Sequence, residues 1–323
     1  MMRWSSRSLG SNFQHRIFYQ LVRWRALALA RCLLRVVVFY YTLLPGVRRR
    51  CHPYLRRRFP GARGTAMFGH AYRLYLNFGQ ILLDRSIAGI TGRFPIRRGG
   101  ETVARLREVL NEGHGCIVLT AHLGGWQLGL AGLETLETSV HVVQRRDPGD
   151  VDKHYFEHGG GRTVRVIDAG RPLETALAAS TVLRRNELLC MMGDRAPDEA
   201  AVARVPFWGG VIAVPLTAYA LASTTGAPLA LVFNVRGHEG LTRPHWGGLM
   251  RIPPGLGRKP AELRPFALRF VETLEEMTRL YPHQFFNFYD MWLDNNDTRR
   301  HDREVEANHS CETQSGRLEP GRD

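Results

Sequence analysis

From residue 101 onward, short apolar runs alternate with longer amphipathic stretches. Gly115-Cys-Ile-Val-Leu-Thr120 is a β-branched run opened by glycine and followed by Ala121-His122, the pattern of a buried strand. Similar runs recur at 140–144, 163–167, 187–192 and 228–235. Helical periodicity predicts helices over 72–90, 101–110, 172–183, 213–225 and 262–281. This alternation predicts an α/β fold: a mixed, largely parallel sheet covered by helices. In such sheets chemistry gathers where strands end, and His122 and Asp194 both follow a predicted strand.

The first sixty residues follow a different pattern. An apolar stretch from Ala26 to Pro45 contains LLRVVVFYYTLL, interrupted by Arg31 and Arg35 at i, i+4 spacing, so that both fall on one helix face. A membrane span needs about 18–20 apolar residues without such interruptions. The pattern instead predicts a membrane-associated helix lying in the interface, apolar face down and arginines among anionic headgroups. No small-residue cleavage site follows the run, which argues against a secretory signal. From Asp294 the chain is polar, charged and aperiodic, which predicts a disordered tail. The expected organisation is therefore a basic membrane-docking segment at 1–60, an α/β domain at 61–293 and a tail at 294–323.

Charge sharpens this division. The net charge of +14 comes from a segment, residues 1–60, with thirteen arginines and no acid; the first carboxylate is Asp84. Beyond residue 60 the chain is nearly neutral. A basic arm this apolar, followed by no nucleic-acid-reading motif, points to an anionic membrane surface rather than DNA or RNA. The five cysteines are scattered, with no CxxC and no metal-ligand spacing. They read as reduced core residues of a protein facing the cytosol, and no metal is expected. The Gly159-Gly-Gly161 run reads as a turn.

Candidate chemistry is confined to two places, because GxSxG, Walker and HExxH motifs are absent. One is His122, followed by Gly124-Gly125-Trp126-Gln127: a histidine at a strand end that can take a proton from a hydroxyl, beside glycines that allow close backbone approach. The other is Gly193-Asp194-Arg195, where the arginine fork suits a phosphate or carboxylate. Taken singly, each pattern also fits a structural turn.

In this order, with several further blocks, the chain resembles the lysophospholipid acyltransferase superfamily, in the branch related to lipid A late acyltransferases. His122-Leu-Gly-Gly-Trp-Gln127 matches the block of His, four residues, then Asp or Glu. Gly193-Asp194-Arg195, Pro206-Phe207-Trp208-Gly209 and Thr225-Gly226-Ala227-Pro228 match the later blocks. Phe286-Asn287-Phe288-Tyr289-Asp290-Met291-Trp292 is similar to the closing motif of one bacterial subgroup, as are Tyr54 to Pro60 and Leu82-Leu-Asp-Arg85.

The resemblance implies transfer of a fatty acyl group from an acyl-carrier-protein or acyl-CoA thioester, a co-substrate rather than a cofactor. The acceptor would be a hydroxyl of a lipid or glycolipid at the cytoplasmic face of the bacterial inner membrane. It makes His122 the general base and gives the block's carboxylate the task of orienting the imidazole. Gly125, Trp126, Asp194 and Arg195 become candidate substrate-binding residues. Phe207 and Trp208 line an acyl channel or pack the core. Gln127 departs from the block. An amide can accept the ring N–H but cannot balance an imidazolium, and in serine proteases such a replacement costs about 10⁴ in turnover. Three readings follow: Gln127 suffices, another acid takes its place in space with Glu134 and Glu137 nearest in sequence, or the fold persists as a catalytically silent lipid or acyl-donor binder.

Overall fold

The computed structural model describes residues 12–97, 100–145, 164–196, 201–256 and 260–293. The turn expected at 159–161, the tail from 294 and Cys311 lie outside these residues. Four helices come first: α1 (Asn12–Arg23), α2 (Leu27–Leu43), α3 (Pro45–Arg58) and α4 (Gly64–Thr91). They lead into α5 (Glu101–Leu110), β1 (Cys116–Thr120), α6 (Trp126–Gly132), a single 3-10 turn (Leu133–Leu136), β2 (Val140–Gln144) and β3 (Val164–Asp168). Then come α7 (Pro172–Arg184), β4 (Leu188–Met192), β5 (Val202–Phe207), β6 (Gly210–Pro215), α8 (Thr217–Thr225), β7 (Leu229–Arg236), β8 (Thr242–Met250) and α9 (Pro260–Leu280).

The main sheet has the order β3-β2-β4-β1-β7-β8, parallel throughout except for the antiparallel β7–β8 edge. The α/β expectation of a mixed, largely parallel sheet covered by helices is met. The central strands were legible because burial on both faces makes them continuously apolar. Ile117, Leu119, Leu189, Met191, Leu229 and Leu231 face one side, where α7, α8, α9 and the N-terminal helices cover them. Cys116, Val118, Leu188, Cys190, Ala230 and Val232 face the other, beneath α5 and α6.

Three expectations need correction. Residues 213–215 are not helical; they end β6, which pairs with β5 in a separate hairpin. Its tip is Trp208-Gly209, with φ of 45° and 71°, the two positive values that a type I′ turn requires. Strand β8 was not expected, because Pro244, Gly247 and Gly248 break its alternation. An edge strand tolerates such residues, and the register shifts at Leu231/Val232 opposite them. Finally, Cys32 is exposed on α2, whereas Cys51, Cys116 and Cys190 are buried thiols, pushed up to about 12 by burial.

The basic segment also shares the body's core. On α2, Ala30, Leu34, Val38 and Thr42 form a buried i, i+4 stripe, and Leu34 and Val38 pack over Gly79 of α4. On α3, Tyr54 and Leu55 are completely buried; the Tyr54 hydroxyl donates to the Pro282 carbonyl at 2.9 Å, and its ring meets Phe285 edge-on. Phe59, His70 and His283 stack, joining α3 and α4 to the segment after α9. Burial beside His70 and the Arg73 and Arg58 cations lowers His283 to about 4, so the stack is held by neutral rings near pH 7.

Gly124 shows how closely the β1–α6 loop is fitted. It adopts φ of +66°, and a Cβ there would fall 1.9 Å from the Asn234 carbonyl oxygen. Gly124→Ala should therefore cost about 2–4 kcal/mol from overpacking and left-handed strain. Gly46→Ala, with nothing within 4 Å of the new Cβ, should leave the denaturation midpoint nearly unchanged.

Candidate functional site

Parallel strands in register bring the two sequence candidates together. Thr120, the last residue of β1, pairs with Met192, the last of β4. The Gly193 N–H then donates to the Thr120 carbonyl at 2.8 Å. Two residues beyond each strand end stand His122 and Asp194. His122 Nδ1 lies 2.9 Å from Asp194 Oδ1 and 3.1 Å from Oδ2. The Asp194 side chain is 1% exposed and that of His122 25%, so the carboxylate is sealed behind a ring that reaches solvent.

Burial alone would raise the Asp194 carboxyl. The facing His122, its hydrogen bonds and the neighbouring Arg195 outweigh that and hold the carboxyl below its ordinary range. An ionised carboxylate only accepts, so the Nδ1 facing it carries the proton. In the neutral ring Nε2 is then a bare lone pair, and no described residue hydrogen-bonds to it. This is an imidazole held in one tautomer by a buried carboxylate.

The orienting acid therefore comes from β4, 72 residues away, and not from the block that begins with His122. Gln127 is buried in the first turn of α6, while His122 Nδ1 is occupied by Asp194. Glu134 and Glu137 are exposed on and after the 3-10 turn. Of the readings opened by Gln127, an acid supplied in space fits the geometry. Asp194, a candidate substrate-binding residue by the resemblance, faces His122 Nδ1.

The other candidates separate. Gly125 caps α6, and its N–H is taken by the Asn234 carbonyl at 2.7 Å. Trp126, the first residue of α6, faces the crevice beneath that helix. Arg195 stays beside the pair, its Nη2 donating to the Phe286 carbonyl at 2.8 Å. Phe207 is completely buried between Phe285 and Trp292. Trp208 sits at the hairpin tip, its indole donating to Thr278 Oγ1 at 2.9 Å and flanked by Arg58 and Arg279. For these two, packing is what the geometry displays.

Sequence reasoning missed the segment that closes over the loop carrying His122. The Phe286 N–H donates to the His122 carbonyl, and the Gly124 N–H to the Gln284 carbonyl, each at 2.8 Å. Tyr289 lies under the Arg195 guanidinium, 5.6 Å from ring centroid to cation. Burial, opposed by Arg195 and reinforced by Asp194, raises its phenol to about 12, so it remains a donor at neutral pH. The only sequence signal was the 286–292 motif, which carried no assigned role.

A carboxyl held low in the folded state stabilises it above the unfolded value, and the contribution is lost as pH falls through the folded value. Wild type should therefore be more stable than Asp194→Asn above about pH 5, with the difference shrinking below about pH 4. Paired urea titrations across that range would show it; a gap independent of pH would contradict an ionised Asp194.

No curated protein matches the chain significantly. A family model described as bacterial lipid A biosynthesis acyltransferase matches residues 92–294. That span is well over half the chain and contains β1, β4, His122, Asp194 and Arg195. The chain belongs to the bacterial lipid A biosynthesis acyltransferase family.

Proposed function

We propose that this protein moves a fatty acyl group from a carrier-protein or CoA thioester to a hydroxyl of a membrane lipid or glycolipid, with His122 as general base. The observation that carries the reading is the His122–Asp194 pair. The acceptor O–H gives its proton to Nε2 as its oxygen attacks the thioester carbonyl. The tetrahedral adduct collapses with cleavage of the C–S bond, and the imidazolium returns the proton to the departing sulfur. Asp194 stabilises the imidazolium between these steps, which an amide at position 127 would not do. Arg195, fixed beside the pair, is positioned for an anionic part of donor or acceptor.

We further infer docking on the anionic cytoplasmic face of the inner membrane. No single described helix is long and apolar enough to cross a membrane; α2 and α3 pass that test only as a pair bent by 88°. Opposite its buried stripe, α2 presents Leu29, Val36, Phe39, Tyr40 and Leu43 to solvent, with Phe13 and Trp24 on and after α1. Arg49 and Arg50 are exposed at the start of α3. An apolar face bordered by arginines suits an interfacial position.

Transfer from labelled carrier-protein or CoA thioesters into membrane lipid should vanish in His122→Ala. Asp194→Asn should lower turnover by about 10³–10⁴ through the wrong tautomer and an unbalanced imidazolium. Gln127→Glu should not raise the rate, because the acid is already present. Near-wild-type turnover in Asp194→Asn would remove the pair from the mechanism.

Leu29→Asp combined with Val36→Asp, both on the exposed side of α2, should weaken binding to anionic vesicles at least about tenfold, without disturbing the buried side of α2. Unchanged flotation with such vesicles would refute this docking face.

A further inference from the structure

The loop that carries His122 is held by its backbone. Three consecutive N–H groups after His122 are engaged: Leu123 donates to the Ala121 carbonyl at 2.6 Å, Gly124 to the Gln284 carbonyl at 2.8 Å and Gly125 to the Asn234 carbonyl at 2.7 Å. Two of these acceptors lie outside the loop, and both are tied to Arg236. Asn234 stands two residues before Arg236, the last residue of β7. The Gln284 side chain grips the Arg236 backbone: its Nε2 donates to the Arg236 carbonyl and its Oε1 accepts the Arg236 N–H, each at 2.8 Å.

Arg236 is fixed in turn by α4. Its Nε donates to Asp84 Oδ2 at 2.7 Å, and its Nη1 to Gln80 Oε1 at 3.4 Å. The side chains of this ion pair, Arg236 and Asp84, are 13% and 3% exposed. Taking two charges out of water is costly, and apolar side chains of similar volume often hold a fold as firmly. What apolar contact lacks is direction. A guanidinium bonded to a buried carboxylate has a defined geometry, and this one fixes the residue on which both outer anchors of the loop depend.

We propose that Asp84 is a positioning residue for His122, acting through Arg236 and Gln284 on the backbone at Gly124. The proposal rests on the acyl-transfer reading above and extends that site to a side chain of the N-terminal helical layer. Its task is to fix where the His122 ring stands between Asp194 and the acceptor hydroxyl. Misplacing a reacting group by about 1 Å can cost about 10² in rate. Loosening the loop should therefore lower turnover and leave substrate binding intact.

The test is Asp84→Asn in the full-length protein, which removes the charge and keeps the shape. Turnover with a carrier-protein or CoA thioester is expected to fall at least about tenfold, with KM for donor and acceptor changed by no more than about twofold. Proton NMR gives a reading that does not need the reaction. The His122 Nδ1 proton, held on Asp194, is identified as the downfield resonance absent from His122→Ala, and it should shift or broaden in Asp84→Asn. Val109→Ala, in the core beneath α5 on the other face of the sheet, is the control for lost stability. At a similar drop in melting temperature it should change neither reading. Gln284→Met leaves the Asp84–Arg236 pair in place but releases the Arg236 backbone. It should reproduce both changes, and it stands in if Asp84→Asn does not fold.

Unchanged turnover in Asp84→Asn, a loss confined to KM, or a loss that Val109→Ala shares would overturn the proposal. So would lower turnover with the Nδ1 resonance unmoved, because the ring would then not have been displaced. Absence of transfer in wild type would refute the acyl-transfer reading by itself. A resonance that moves in Asp84→Asn would even then uphold the placement of the ring by Asp84, and one that stays would overturn it.

Discussion

The hydrogen-bonded contact between His122 and Asp194 depends on β1 and β4 being adjacent, parallel and in register to their last residues. A one-residue slip would turn the side chains of either strand to the opposite face and separate the pair. The site is therefore a consequence of sheet topology more than of any local motif. The central strands are apolar on both faces, so burial penalises a slip at every position. The His122–Asp194 pair sits on the most strongly specified part of the fold.

Around that contact the chain uses its own C-terminal segment as a clamp. Residues 284–286 bond to the loop that carries His122, Arg195 reaches the Phe286 carbonyl, and the Gln284 side chain pairs with the backbone of Arg236 at the end of β7. Arg236 in turn donates to buried Asp84 of α4 at 2.7 Å. Burial raises the Asp84 carboxyl, with Arg236 opposing that rise. The N-terminal helices are thus joined to the clamp, through Asp84 on α4 and through Tyr54 on α3. The helices that carry the exposed apolar residues, α1 and α2, pack on α4, which with α3 supports the loop that carries His122.

Gln127 changes meaning in this light. A block that pairs His with an acid five residues later supplies base and acid from one short segment. Here the acid is provided by the turn after β4, and position 127 is a buried member of α6. An amide is compatible with that position, since a carboxylate there would be a buried charge. At position 127 the chain departs from the pattern, and the carboxylate that meets the imidazole comes from the turn after β4.

Residue pattern alone determined the strands β1, β2, β4 and β7, the helices around them, the α/β class, and His122 and Asp194 as separate candidates. These were legible because long apolar runs and strand-end polar residues are local signals. Strand β8 and the β5–β6 hairpin were obscured by proline, glycine and an edge position, and α3 by its density of arginine around Pro53. Only the tertiary structure decided that Asp194 meets the His122 imidazole and that residues 284–286 bond to the loop that carries it. Those relations join residues from 72 to more than 150 positions apart. Parallel pairing and helix packing bring such residues together, and no short-range periodicity encodes the result.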